Sequence, residues 1–278
     1  MKKILVPTEF TYLSECALNL GVQLAKFAGA EISVVSVVEP HHNQFMDKDE
    51  VYSQDPTSSI KNISITEKAR EAMQQRAEEI SKMLPGTPIA PKIIYGHKAI
   101  ELVGELKKSA ADLVIIGGDL YDPKEKFAGE FLRSSPVPVV ILKCMINGLD
   151  ELRDIVLLAD SENDSSELIA HLKELQKVLM AKIHVVRINT PKNFLEPKKC
   201  TATLEQYASM HGLENIKLVS LDAKSEAEGL KTYAETIKSA FVCLGIHKRS
   251  FLERLIGSDT SPEEVIVNSS HPVWTYGE

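Results

Sequence analysis

The stretch Ala111-Asp-Leu-Val-Ile-Ile-Gly-Gly118, followed after a polar turn and a helix-like run by Pro136-Val-Pro-Val-Val-Ile-Leu-Lys143, decides the fold. Leu113 to Ile116 is an unbroken aliphatic run, too short for a helix, and reads as a strand buried on both faces. Gly117-Gly118 stands at its C-terminal end. Ligands bind at that edge of an open parallel sheet, and glycine there lets a backbone approach a phosphate. Pro138 to Leu142 reads as the next strand. The pattern returns as Ala240-Phe-Val-Cys-Leu-Gly245, a helix-like run, and Pro272-Val-Trp274. One unit is used twice.

Upstream, Lys3 to Val6 is a first strand that ends in Pro7-Thr8-Glu9. Thr11 or Ser14 caps a helix whose apolar face is Leu13, Ala17, Leu20 and Leu24. Ile32 to Val38 is the second strand. Residues 39–62 are polar and turn-rich and read as a long loop. A surface helix over Thr66 to Leu84, a strand over Ile89 to Tyr95 and a helix marked by Ile100, Leu102, Val103 and Leu106 lead back to Leu113. A short linker, Met145 to Leu152, precedes a second cycle. Its strands are expected at Ile155–Ala159, Ile183–Ile188, Ile216–Leu221 and Phe241–Leu244, with helices between.

Offsets test the repeat. Glu9 and Asp160 differ by 151 residues, as do Ala30 and Ala181, and Pro40 and Pro191. Gly117 and Gly245 differ by 128, so the first copy carries an insertion of 23 residues after Pro40. Pro138 and Pro272 differ by 134, so the first copy lacks 6 residues between its glycines and its last strand. The reading is α/β, two tandem Rossmann-like domains, each a five-stranded parallel sheet flanked by helices. The boundaries are 1–146 and 151–278.

Composition narrows the function classes. Hydrophobic residues make up 44% and charged residues 26%, with net charge -7. Splitting after Gly148 leaves 17 basic against 19 acidic residues, then 15 against 20. Neither half is basic, which argues against nucleic-acid binding. No apolar run approaches the ~20 residues of a membrane span. Cys16, Cys144, Cys200 and Cys243 show no CxxC spacing, and with no signal-peptide pattern they point to packed thiols in a reducing cytoplasm.

Val6-Pro7-Thr8-Glu9-Phe10, Gly96, the run Ala111 to Gly117 and Pro138-Val139 resemble the universal stress protein family. Ala159-Asp160, Gly245 and His271-Pro272-Val273 extend the resemblance to the second copy, as in tandem members. The resemblance implies an adenine nucleotide alpha hydrolase-like fold with domains paired through their last strands. It also implies ATP or AMP, with Mg²⁺, on a Gly-x-x-Gly-x9-Gly-Ser/Thr loop, with an Asp after the first strand near the adenosine, a position held by Glu9 in the first copy and Asp160 in the second. The loop departs from that pattern in both copies. In the first, Leu120 follows where the second glycine belongs, and the third glycine falls near Lys126-Phe127 in the shortened segment. In the second, Lys248 replaces the second glycine, and Gly257-Ser258 matches the end one residue early.

The nucleotide residues carried over are therefore Ala159, Asp160, Ser161, Gly245, His247, Lys248, Gly257 and Ser258 in the second domain. In the first domain a degenerate set remains: Pro7, Thr8, Glu9, Val38, Gly117 and Gly118. His247-Lys248-Arg249 could replace lost backbone donors with charge, or form a solvated loop. Thr8-Glu9 and Asp160-Ser161 could bind ribose hydroxyls or cap helices. Trp274 and Tyr276 either stack a ligand or fill the seam between copies, and the seam is the favoured role. His41-His42 with Asp47, Asp49 and Glu50 lie in a polar loop and read as solvated rather than metal-binding. No Walker loop, Gly-x-Gly-x-x-Gly, nucleophile elbow or His-Glu-x-x-His occurs, so no catalytic set is expected. Three functions follow: a nucleotide-binding stress module, a ligand-free interaction protein, and, least favoured, a slow nucleotide hydrolase. Intramolecular pairing is expected, and homodimerisation is compatible with the family.

Overall fold

The computed structural model describes residues 1–38, 56–87, 89–118, 131–143, 146, 148–160, 164–246, 264–266 and 269–277, with backbone alone for 56–66, 90 and 150. The strands in chain order are β1 Lys3–Pro7, β2 Glu31–Val38, β3 Ile89–Tyr95, β4 Leu113–Gly117 and β5 Val139–Leu142. They continue as β6 Asp154–Leu158, β7 Lys182–Asn189, β8 Ile216–Asp222, β9 Ala240–Ile246 and β10 Val273–Gly277. The longer helices are α1 Tyr12–Ala28, α2 Pro56–Met83, α3 Lys98–Ser109, α4 Ser166–Leu179, α5 Pro197–Met210 and α6 Glu226–Glu235.

All ten strands form one sheet in the order β3-β2-β1-β4-β5-β10-β9-β6-β7-β8. Pairing is parallel throughout except between β5 and β10, where Trp274 stands opposite Val140. The central strands bury both faces, which is why β4 and β5 read as continuous apolar runs. Their alternate residues feed two cores. Ile4, Val6, Ile155, Leu157 and Trp274 pack under α1, α2, α4 and α5; Leu5, Val156 and Val273 pack under α3 and α6.

Local chemistry sets the helix ends. Thr11 caps α1 in a reciprocal box with Ser14, and Gly29 closes it in the left-handed region at φ 65°. Ser165 and Ser225 cap α4 and α6 through their hydroxyls. Cys16, Cys200 and Cys243 are buried, and burial pushes the Cys243 thiol well up, as packing rather than reactivity requires.

The polar segment after Pro40 departs from expectation. The loop was expected to reach residue 62, yet α2 already begins at Pro56 and runs 28 residues, twice the 14 of α5. Much of the insertion is thus a helical extension. Pro56 takes the first helical position, where proline needs no hydrogen-bond donor, and Ser and Thr behind it do not forbid a helix. Residues 39–55, including His41, His42, Asp47, Asp49 and Glu50, lie outside the described residues.

Candidate functional site

In each half the strand order reverses once, between β1 and β4 and between β6 and β9. A crevice at the C-terminal ends of such strands is where this architecture takes ligands. The structure brings Pro7, Thr8, Glu9, Val38, Gly117 and Gly118 to the first of these edges, and Ala159, Asp160 and Gly245 to the second. Ser161, His247, Lys248, Gly257 and Ser258 lie outside the described residues, as do Leu120 and Lys126-Phe127.

The first edge is satisfied from within. Pro7 is buried at the end of β1, and the Thr8 N–H donates to Val35 O at 2.8 Å. The Thr8 hydroxyl accepts the Phe10 N–H at 3.1 Å and donates to Ser14 Oγ at 3.3 Å. Thr8 is only 2% exposed, and its hydroxyl holds the turn ahead of α1 while Thr11 caps the helix. Phe10, at φ 60°, turns the chain into α1.

Glu9 forms an ion pair with the ammonium of Lys98, the first residue of α3. A cation is unfavourable against the positive end of a helix, and the Glu9 carboxylate offsets it. Lys98 was missed in the sequence. The available signal was a lysine at a helix start, where an acid is the ordinary choice.

The glycines of this edge also serve the chain itself. The Gly118 N–H donates to Leu142 O at 2.7 Å. A Cβ on Gly118 would come within 2.8 Å of Lys143 Cγ and 3.1 Å of Leu142 O, so glycine is required by the approach of β5. Burial lowers the Lys143 pKa below its ordinary value. At Val38, the Gly96 N–H closes the β2–β3 ladder at 3.2 Å. Gly96 has φ 145° and leaves no room for a Cβ beside Glu101. A phosphate group tested against this first edge finds Gly118 already in contact with β5 and Glu9 already paired.

The second edge is built differently. The Ala159 N–H donates to Val186 O at 3.0 Å, which extends β6 by one bond. The Asp160 N–H donates to Asp164 Oδ2 at 2.8 Å, and the Asp164 N–H returns to Asp160 O at 3.0 Å. Tyr207 of α5 donates its hydroxyl to the same Asp164 oxygen at 2.6 Å. Two carboxylates therefore sit within one turn, where the first edge has one. Asp164 and Tyr207 were missed because 43 residues separate them. Behind Tyr207, the His211 ring lies 4.5 Å away by centroids and Lys173 donates to His211 O at 2.5 Å. Burial, then the Lys173 charge, lowers the His211 pKa below its ordinary value.

Trp274 and Tyr276 do not face either edge as a stacking platform. Trp274 is 1% exposed against the β5 seam, and Tyr276 packs on the His171 ring at 4.9 Å. Among the described residues no group of three or more His, Cys, Asp or Glu could hold a metal, and no helix is long and apolar enough to cross a membrane.

Comparison with known proteins places this geometry. A universal stress protein from Archaeoglobus fulgidus superposes with a TM-score of 0.71 at 18% identity, covering 99% of this chain and 96% of that one. A protein of unknown function from Pseudomonas aeruginosa gives 0.64 at 14% identity, covering 100% and 92%. A universal stress protein from a second Pseudomonas aeruginosa strain gives 0.61 at 12% identity, covering 100% and 93%. At such identities the likeness is one of fold, and it extends over both halves. No curated protein matches the sequence. Residues 1–143, more than half of the 278, match the family model described as "Universal stress protein family", and the chain belongs to that family.

Proposed function

We propose that this chain is a non-enzymatic stress-response protein of two domains, residues 1–146 and 151–278, paired through β5 and β10. In this reading only the second domain holds an adenine nucleotide, ATP or AMP with Mg²⁺. The observation that carries it is that the second edge has an aspartate in a turn with a second carboxylate, where the first edge has a glutamate. Glu9 is tied to Lys98. Asp160 is an aspartate, as the family resemblance implies, and Asp164 and Tyr207 brace its turn. In this reading the Asp160 carboxylate accepts hydrogen bonds from ribose hydroxyls, and bonds to charged groups contribute about 1.5–3 kcal/mol each.

The test compares Asp160→Ala with Glu9→Ala in an ATP titration. Asp160→Ala should weaken binding more than about tenfold, and Glu9→Ala should leave it unchanged. The reverse order would contradict the reading. A second reading, a ligand-free interaction protein, is favoured by the internal satisfaction of Thr8, Glu9 and Gly118. It predicts that neither variant matters because no nucleotide binds. Slow hydrolysis ranks third, with no base set beside a phosphate cradle among the described residues.

A further inference from the structure

At the end of the second half away from Asp160, β6 begins with Asp154, and His184 is the third residue of β7. Tyr233 comes in above them from the last turn of α6. His184 Nε2 lies 2.9 Å from Asp154 Oδ1, and its Nδ1 lies 2.7 Å from the Tyr233 hydroxyl oxygen. A carboxylate only accepts, so it fixes a proton on Nε2. The neutral ring then offers Nδ1 as an acceptor, and the Tyr233 hydroxyl donates to it. His184 is 6% exposed, so packing holds its ring in place. Asp154 is one-third exposed and Tyr233 is half-buried, so solvent reaches both ends of the relay. The Lys217 ammonium stands 5.7 Å from the Tyr233 ring centroid, a cation beside a ring that turns anionic as it gives up its proton.

The fold does not require this chain of groups. The repeat offsets of 151 and 128 place Lys3, Ser33 and Glu105 at the same three positions of the first half. There the buried Glu105 pairs instead with Lys92 at 2.6 Å. Carboxylate, imidazole and hydroxyl in hydrogen-bonded series are the parts of an activated nucleophile: a group to attack, a base to take its proton, and an acid to hold the base in one tautomer.

We propose that Tyr233 is a nucleophilic tyrosine that takes an acyl group from an activated carboxylic ester, with His184 as its base and Asp154 as the positioning residue. The phenol oxygen bonds to the acyl carbon as its proton passes to His184 Nδ1. The ester C–O bond breaks, and the leaving oxygen keeps the electron pair and takes the proton from His184. An acyl-tyrosine and an alcohol result. A neutral ester suits the site better than a phosphoryl donor, whose charge the Asp154 carboxylate repels. The site lies apart from Asp160 and does not depend on the nucleotide reading.

Reaction of the full chain with p-nitrophenyl acetate tests it, with acetylated residues identified by peptide mass spectrometry. The wild-type chain should release one fast equivalent of p-nitrophenolate and carry the acetyl group on Tyr233. Tyr12 and Tyr95, 63% and 56% exposed, serve as internal references, and Tyr233 should react at least about tenfold faster than either. A hydroxyl that merely packs would react more slowly than both, since it is half-buried and hydrogen-bonded. Tyr233→Phe should remove the fast equivalent. His184→Gln should slow Tyr233 about a hundredfold while Tyr12 and Tyr95 keep their rates. If His184→Gln unfolds the chain, Asp154→Asn at the exposed end of the relay decides. It should slow Tyr233 by about tenfold or more and leave both references unchanged. A Tyr233 that reacts no faster than the references overturns the proposal, as does a fast Tyr233 that ignores the changes at His184 and Asp154.

Discussion

Lys98, at the first turn of α3, reaches across the end of β2 to the carboxylate of Glu9, 89 residues earlier at the end of β1. Both side chains are about one-third exposed, so solvent screens the pair. Lys98→Ala should cost less than about 1 kcal/mol. The wild-type chain should lose that margin in molar salt, and the variant should show no such loss. Urea unfolding at low and high salt measures both.

Trp274 is the only tryptophan in the chain, and it stands at the seam opposite Val140. Its fluorescence should be blue in the native state, and its transition should coincide with the loss of far-UV circular dichroism. Trp274→Ala should cost about 3–5 kcal/mol and split the calorimetric endotherm as the halves decouple. One unsplit endotherm at the same temperature would show that the seam contributes little.

Two glycines should respond in opposite directions. Gly118→Val forces a side chain against Lys143 and Leu142 O and should destabilise by about 1–3 kcal/mol. Gly104 lies within α3, and a Cβ there meets nothing within 4 Å. Gly104→Ala should therefore stabilise by about 0.5–1 kcal/mol. Melting temperatures of the two variants check the signs.

His211 makes stability depend on pH. Its ordinary pKa is 6.5, and burial with Lys173 nearby lowers it in the fold. The unfolded chain then binds the proton first as pH falls below 6.5, so stability should decline from there down to the lowered value. His211→Gln should flatten that part of the urea-midpoint profile. An unchanged slope would assign the decline to other groups.

The sequence already revealed much of the fold, since the central strands β1, β4, β5, β6 and β9 carry short aliphatic runs. It also revealed the repeat, because Glu9 and Asp160, Ala30 and Ala181 keep one offset. The start of α2 was obscured because Pro56-Thr57-Ser58-Ser59 has the composition of a turn, and only the fold shows that a helix begins there. The site was less legible. Thr8 suits a cap and a ligand equally by residue type, and in the fold its buried hydroxyl does neither: it ties the turn to Phe10 while Thr11 caps the helix. The pairs Glu9–Lys98 and Asp164–Tyr207 join elements far apart in the chain, so no local pattern carries them. Asp112, whose carboxylate takes the N–H of Lys3 at 2.9 Å, is hidden in the same way.

The most direct measurement is isothermal titration of the full chain with ATP, with and without Mg²⁺. The account predicts one nucleotide per chain, with thermal stabilisation of roughly 2.7 kcal/mol at 100 times the dissociation constant. Two nucleotides per chain would contradict the closed first domain, and no heat at millimolar ATP would contradict nucleotide binding in the second.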